Sequence, residues 1–199
     1  SLAKVEGRAS KLDETLTAER KARIAAAAAL EIREGQLASM QSTYDELVTD
    51  LESEVSSGQI EIERLREGLR LNVSDEVLFA TGSADLDSIG RDVLIKVARQ
   101  LKGLSDFIEV RGHTDDRSIR GSLAKRYPSN WELAAARAAR VVRLLEAQGV
   151  AASRLAAVSL GANDPVAEND TPENRALNRR IEIRLLPPGA PNPGSGPPP

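Results

Sequence analysis

The sequence predicts an α/β domain, β-α-β-α-β-(α)-β, with helices packed on a four-stranded mixed sheet and a long α-helical coiled-coil stalk in front of it. Three observations carry this. Residues 1–70 contain no proline and repeat apolar positions in steps of three and four. Residues 71–186 alternate short period-two runs with amphipathic stretches bounded by glycine. From residue 187 the chain reads PPGAPNPGSGPPP, with no apolar periodicity.

In the first zone the seam runs through Leu2, Val5, Ala9, Leu12 and Leu16, and resumes at Ala26, Leu30, Leu37, Met40, Tyr44, Leu47 and Leu51. A second step of four to Val55 reads as a stutter, after which Ile62, Leu65 and Leu69 continue the seam. A 3-4 alternation held this long is the signature of a coiled coil. At 1.5 Å per residue, about 70 helical residues reach roughly 100 Å. Glu19, Arg23 and Arg33 fall on seam positions, and Gly35 and Gly58 weaken the helix locally. The expected outcome is a homodimer through residues 1–70; a helix folded back on itself or on the next domain is the alternative. With 10 Lys/Arg against 14 Asp/Glu, the zone carries −4 and does not suit an anionic membrane surface.

In the second zone VSDEVLF (Val73–Phe79) reads as the first strand, followed by a turn at Thr81-Gly82-Ser83. Asp85 is placed to cap a helix running to about Leu101, with Leu86, Ile89, Val93, Leu94, Val97 and Leu101 on one face. FIEVR (Phe107–Arg111) alternates apolar and charged residues as a strand does. Ser129 or Asn130 caps a second helix to Gln148, closed by Gly149; LAAVSL (Leu155–Leu160) makes a third strand. A short helix through Pro172–Asn178 leads to the last strand, IEIRL (Ile181–Leu185). The zone balances 17 Lys/Arg against 16 Asp/Glu, +1, and is long enough to bury its own core. Residues 187–199 are expected to be a disordered or polyproline tail.

Composition narrows the function classes. A net charge of −3 and 3% aromatics give no reason to expect a nucleic-acid partner. The absence of cysteine removes disulfides and thiolate chemistry, and fits a cytosol or a periplasm. No apolar run approaches the roughly 20 residues that span a bilayer. The chain begins with Ser1, which suggests a processed or truncated product whose anchor lies upstream.

The residues that invite chemistry cluster in RGHTDD (111–116) and in NWELAAAR (130–137). A strand ending in FIEVRGHTDD puts Gly112–Asp116 at a strand's C-terminal mouth, where open α/β sheets bind ligands. Arg137 lies about two turns into the following helix, so the Asp115 carboxylate and the Arg137 guanidinium can face one cleft. A carboxylate holds an ammonium, and a guanidinium fork holds a carboxylate through two parallel bonds. Together they suit a zwitterion of amino-acid type, with Asn130 offering a donor and an acceptor to fix orientation; an internal Asp–Arg salt bridge remains the plainer reading of the same spacing. Asp115 and Asp116 are neighbours on one loop, unlike the facing carboxylates of glycosidases, and no nucleophile–base set is visible, so no enzymatic activity is expected. A lone His113 lacks the ligands of a defined zinc site and is expected to shape the loop by a hydrogen bond. No metal or cofactor is expected.

GHTDD, a spacer, NWELAAARAARVV and then GANDPVAENDTPENRALNRRIEI together resemble the OmpA-like C-terminal domain, a peptidoglycan-binding module, over about residues 71–186. The long spacer RSIRGSLAKRYPSNWEL makes the chain most similar to the MotB-like, flagellar stator-related branch. The resemblance implies non-covalent binding of the diaminopimelate of the peptidoglycan stem peptide. Asp115 would receive the ligand's amine and Arg137 its carboxylate. Asn130 and Leu133 would line the pocket, and Thr114 would shape the loop. Arg179 and Arg180 have two readings, a contact to glycan or peptide carboxylates and a structural ion pair with Asp164 or Glu173; of the two, Arg180 is counted with the five residues above as a sixth expected to bind ligand. Trp131, the one tryptophan, is expected to pack on the spacer rather than to stack on a sugar. The family's F-D-x-x-S is here Phe79-Ala80-Thr81-Gly82-Ser83, so a rim carboxylate is missing. The resemblance further implies a periplasmic protein anchored in the inner membrane by a helix absent from this chain, with a motor-type membrane partner. The alternative is a passive tether, lipoprotein-like or outer-membrane-linked, without a motor.

Overall fold

The computed structural model describes residues 2–66, 68–80 and 83–187, and the chain divides into two compact units, residues 1–42 and 43–199. The turn expected at Thr81-Gly82 and all but the first residue of the Pro-rich stretch lie outside the described residues.

The first unit is helix α1 (Leu2–Asp50) as far as residue 42. Its large apolar side chains are in solvent: Leu12, Leu16, Leu30 and Leu37 of the seam, and Ile24 and Ile32 outside it. Arg23 and Glu19, both on seam positions, form an i,i+4 ion pair at 2.9 Å.

The second unit begins with the last turns of α1, where Leu47 and Leu51 become fully buried. A short α2 (Glu52–Ser56) follows, its Glu54 bonded to Lys96 Nζ at 2.5 Å. The helical reading of residues up to 70 ends here. Ile60–Leu65 is strand β1, and Gly68–Ser74 is strand β2, paired antiparallel from Ile60↔Val73 to Leu65↔Gly68. The sequence IEIERL satisfies both a period of 3.5 and a period of two, and the hairpin decides between them. Gly68 has φ 148, and a Cβ there would stand 1.9 Å from the Leu185 carbonyl oxygen, so only glycine closes this hairpin against the next strand.

β2 ends at Ser74, earlier than the expected strand. Ser74 Oγ accepts from Glu76 N at 3.3 Å and starts one helical turn, α3 (Asp75–Leu78). Helix α4 (Ser88–Lys102) is capped by Asp87 rather than Asp85, its Oδ1 accepting from Gly90 N at 2.7 Å. β3 (Phe107–His113) precedes a short α5 (Gly121–Arg126) in the spacer. Helix α6 (Asn130–Ala147) opens with a capping box between Ser129 and Glu132. β4 (Leu155–Gly161), α7 (Pro172–Asn178) and β5 (Arg180–Leu186) complete the unit close to the expected positions.

The sheet therefore has five strands, not four, in the order β1-β2-β5-β3-β4. Only β3–β4 is parallel. Alternation along each strand separates two faces. Leu69, Leu71, Val73, Ile108, Val110, Ile181, Ile183 and Leu185 form the apolar face under α4 and α6, with Leu94, Val97, Leu101, Val141 and Leu145 in the same core. The other face carries Glu63, Arg70, Glu182, Arg111 and Glu109 side by side in the strand register.

Candidate functional site

Three segments converge at the C-terminal end of β3. The 114–117 loop is fixed first. Thr114 N donates to the Gly161 carbonyl at 2.8 Å, and Thr114 Oγ1 to the Asp115 carbonyl at 3.0 Å. Asn130 Nδ2 donates to the carbonyls of Asp115 at 3.2 Å and Arg117 at 3.1 Å, tying the loop to the first turn of α6. Helix α6 can come this close because β3 has glycine beneath it: a Cβ on Gly112 would lie 2.2 Å from the Ala134 carbonyl oxygen. The third segment is α3, brought alongside by Asp75 N donating to the Arg179 carbonyl at 3.0 Å.

A cavity of about 490 Å³ opens between them, and Thr114, Asp115, Asn130, Leu133 and Arg137 all line it. Five of the six residues expected to bind ligand thus share one site. Asp115 and Arg137 do not neutralise each other. Arg137, 6% exposed, has Nη1 2.8 Å from Asp75 Oδ1, and its Nε and Nη2 donate to the Ser83 carbonyl at 3.3 and 2.9 Å. Its guanidinium carbon lies 5.0 Å from the centre of the Phe79 ring. These contacts engage three of the five guanidinium N–H groups. Asp115 Oδ2 pairs with Arg179 Nη1 at 3.0 Å, and Asp115 Oδ1 accepts from Arg117 N at 3.1 Å. Arg179 also reaches Glu76 Oε1 at 2.5 Å.

Burial pushes the Asp75 carboxyl up from the usual carboxylate range, and the facing Arg137 offsets only part of that. Burial alone would lower Arg179, but hydrogen bonds to Glu76 and Asp115 raise it overall, so it is a fixed cation. The cavity wall carries three carboxylates (Asp75, Glu76, Asp115) and four guanidinium groups (Arg117, Arg120, Arg137, Arg179). Such a wall can hold a molecule bearing both an ammonium and carboxylates.

The sixth expected residue, Arg180, is a correction. It is buried away from the cavity, with Nη2 3.3 Å from the Asp164 carbonyl oxygen and 3.8 Å from its carboxylate. Arg179 takes its place, because consecutive side chains on an extended chain point to opposite sides. Arg179 is the C-cap of α7, whereas Arg180 begins β5 opposite Ser74. Asp75 and Phe79, expected in a strand, belong to α3 and its C-cap, and both line the cavity. His113 is also away from the cavity, 3.6 Å from Glu182 and 3.9 Å from Asp164, with no hydrogen bond on either ring nitrogen among the described residues. Trp131 is 51% exposed, with its ring beside Gly161 at the end of β4.

Among curated proteins, Motility protein B of Helicobacter pylori is 35% identical over 127 residues, 61% of this chain and 48% of that protein. Peptidoglycan-binding protein ArfA of Mycobacterium tuberculosis is 38% identical over 108 residues, 54% of this chain and 31% of that one. The chain spans about half the length of the first curated relatives it matches. Among solved structures, a MotB-like protein from Desulfovibrio vulgaris superposes with a TM-score of 0.72 at 30% identity, covering 78% of this chain and 99% of that one. The cell wall anchor of the T6SS from Pseudomonas aeruginosa gives 0.66 at 33% identity, covering 71% and 96%. The OmpA family pattern matches residues 78–179, from the end of α3 to the cap of α7, and takes in the whole loop-and-helix frame that carries Asp115 and Arg137: the chain belongs to the OmpA family, with a MotB-like domain.

Proposed function

We propose that this chain is a non-catalytic anchor that grips peptidoglycan through the diaminopimelate of its stem peptide. The observation that carries the reading is the single cavity presenting Asp115 and Arg137 from separate segments, each with bonding capacity left over. Asp115 receives the ligand's ammonium. Arg137, with Arg179 beside it, receives the carboxylate. The reading is supported by relatives whose names state peptidoglycan binding and cell wall anchoring. Titration of the full chain with free meso-diaminopimelate tests it. Saturable binding is expected, weakened at least tenfold in Asp115→Asn, about 1.4 kcal/mol. Undiminished binding by that variant overturns the clamp.

The same reading places the chain in the periplasm as the wall-binding part of a stator-like subunit, with the helical segment as a dimerising stalk. Among the described residues no helix is long and apolar enough to cross a membrane; this reading expects an anchor in sequence upstream of Ser1. A membrane helix with an intramembrane Asp upstream is the expected finding; a lipobox cysteine favours the passive tether. The exposed seam residues Leu12, Leu16, Leu30 and Leu37 support self-association of α1. Sedimentation of the full chain should give a dimer, and a strict monomer at high concentration overturns this part.

A further inference from the structure

Beside the clamp lies a second groove of about 320 Å³, lined by Asp116, Ser118, Ser129, Asn130, Trp131 and Asn163 among others, and sharing Ser118 and Asn130 with the first. We propose that this groove is a saccharide subsite, in which Trp131 stacks on an N-acetylhexosamine ring of the glycan strand. The proposal rests on the wall-binding reading above and extends it from the peptide to the sugar.

The tryptophan is the first argument. A large apolar side chain left half in solvent is informative when it sits at the edge of a cavity. Trp131 is the only tryptophan of the chain and is 51% exposed. It is nevertheless held in place. Its carbonyl accepts from Ser159 Oγ at 2.8 Å, and its ring lies on the end of β4, where a Cβ on Gly161 would stand 3.5 Å from Trp131 Cδ2. An indole fixed at its base and open above is an apolar platform with little conformational entropy to lose. A pyranose ring offers such a platform a flat array of C–H groups.

The polar wall is the second argument. A sugar presents hydroxyls and an N-acetyl amide at its rim, which need both acceptors and donors. Asp116 and Ser118 make no hydrogen bond among the described residues, and Asn163 spends one amide N–H on the Leu160 carbonyl at 3.0 Å, which leaves its carbonyl oxygen as an acceptor. Ser129, by contrast, is committed to the capping box. A carboxylate, a hydroxyl and an amide around one indole suit a neutral polyhydroxylated ring better than an anion, which Asp116 would repel.

The third argument is continuity. Asn130 separates the two cavities, and its side chain pins the very loop, 115–117, that forms the floor of the clamp. A ligand whose peptide occupies the clamp carries its sugar on the same molecule.

The full chain titrated with a β-1,4-linked N-acetylglucosamine tetramer is the direct test, because all tryptophan emission comes from the site. A saturable blue shift is expected, with binding at least tenfold weaker by calorimetry in Trp131→Ala and several-fold weaker in Asp116→Asn. Unchanged meso-diaminopimelate binding by Trp131→Ala verifies that the first variant keeps its fold. No emission change, or a Trp131→Ala variant that binds the tetramer as tightly, overturns the subsite. If Asp115→Asn loses diaminopimelate but keeps the tetramer, both sites stand as separate parts of one surface. Tetramer binding without any diaminopimelate binding sinks the clamp and leaves the sugar groove.

Discussion

Two groups of charged side chains flank the same strand, and one of them lines a cavity. On the cavity side, Asp75 faces Arg137 and Asp115 faces Arg179. On the sheet face away from the helices, closed on itself by ion pairs, Glu182 accepts from Arg70 at 3.0 Å and lies 3.6 Å from His113 and 3.9 Å from Arg111. In both sets the carboxylates are buried, while Arg179, Arg70 and Arg111 stay part-exposed. Burial of charge therefore does not by itself mark a binding site. What separates them is the open space beside one of them. Arg137 and Arg70 each bond through three N–H groups, but Arg137 lines a cavity, whereas Arg70 divides its fork between Glu63 and Glu182 within the sheet. The proposed clamp draws on the first arrangement, and the second is internal to the sheet.

The largest effect expected from this contrast is on stability, at Arg137. Removing one partner of a buried pair leaves the other charge uncompensated, at a cost of about 3–5 kcal/mol. Arg137→Ala should lower the free energy of unfolding in urea by that amount, so loss of wall binding by this variant alone says little about ligand contact. Asp75→Asn added to it should recover more than half, because burial already disfavours the Asp75 carboxylate. A cost below about 1 kcal/mol would show that the pair is not a structural unit.

Next in size is Glu182 on the closed face. Burial would raise its carboxyl, but His113 and Arg70 hold it down to about 2, against 4.5 unperturbed. The folded value lies below the unfolded one, so the stabilisation is complete above pH 4.5 and fades as pH falls toward 2. The difference corresponds to about 3 kcal/mol. Glu182→Gln should cost about that at pH 7 and progressively less below pH 4, measured as urea midpoints across the range. A deficit independent of pH would mean that packing, not charge, holds this face together.

The contrast explains how far the site could be read in advance. The clamp was legible because GHTDD and NWELAAAR lie at the ends of elements with strong local signals: the alternation of FIEVR and the Ser129 cap. Asp75 was not, because Val73, Val77, Leu78 and Phe79 make VSDEVLF look like a strand, and the start signal at Ser74 is a single residue. Arg179 and Arg180 could not be told apart, since the phase of β5 is set by its pairing with β2 and β3. In the fold, IEIERL failed for a related reason: one hexapeptide fits two periods, and the partner strand chooses. Local chemistry was readable, but which side of a strand faces which layer was decided by tertiary pairing.

The smallest expected change in stability, and the sharpest division between the two groups, is at Asp115. Asp115→Asn keeps an acceptor for Arg117 N, and Arg179 keeps Glu76 as a charged partner. The loss should be about 1 kcal/mol or less, the scale of one hydrogen bond exchanged with water. An ammonium held by this carboxylate has no such substitute, because an amide oxygen carries no net charge to meet it. The variant should therefore fold almost as well as the parent while losing diaminopimelate affinity at least tenfold, whereas Glu182→Gln should fold poorly at neutral pH and bind normally where it folds. If Asp115→Asn destabilised the chain as much as Glu182→Gln does, Asp115 would belong with the closed group, and the cavity would lose its ammonium-binding end.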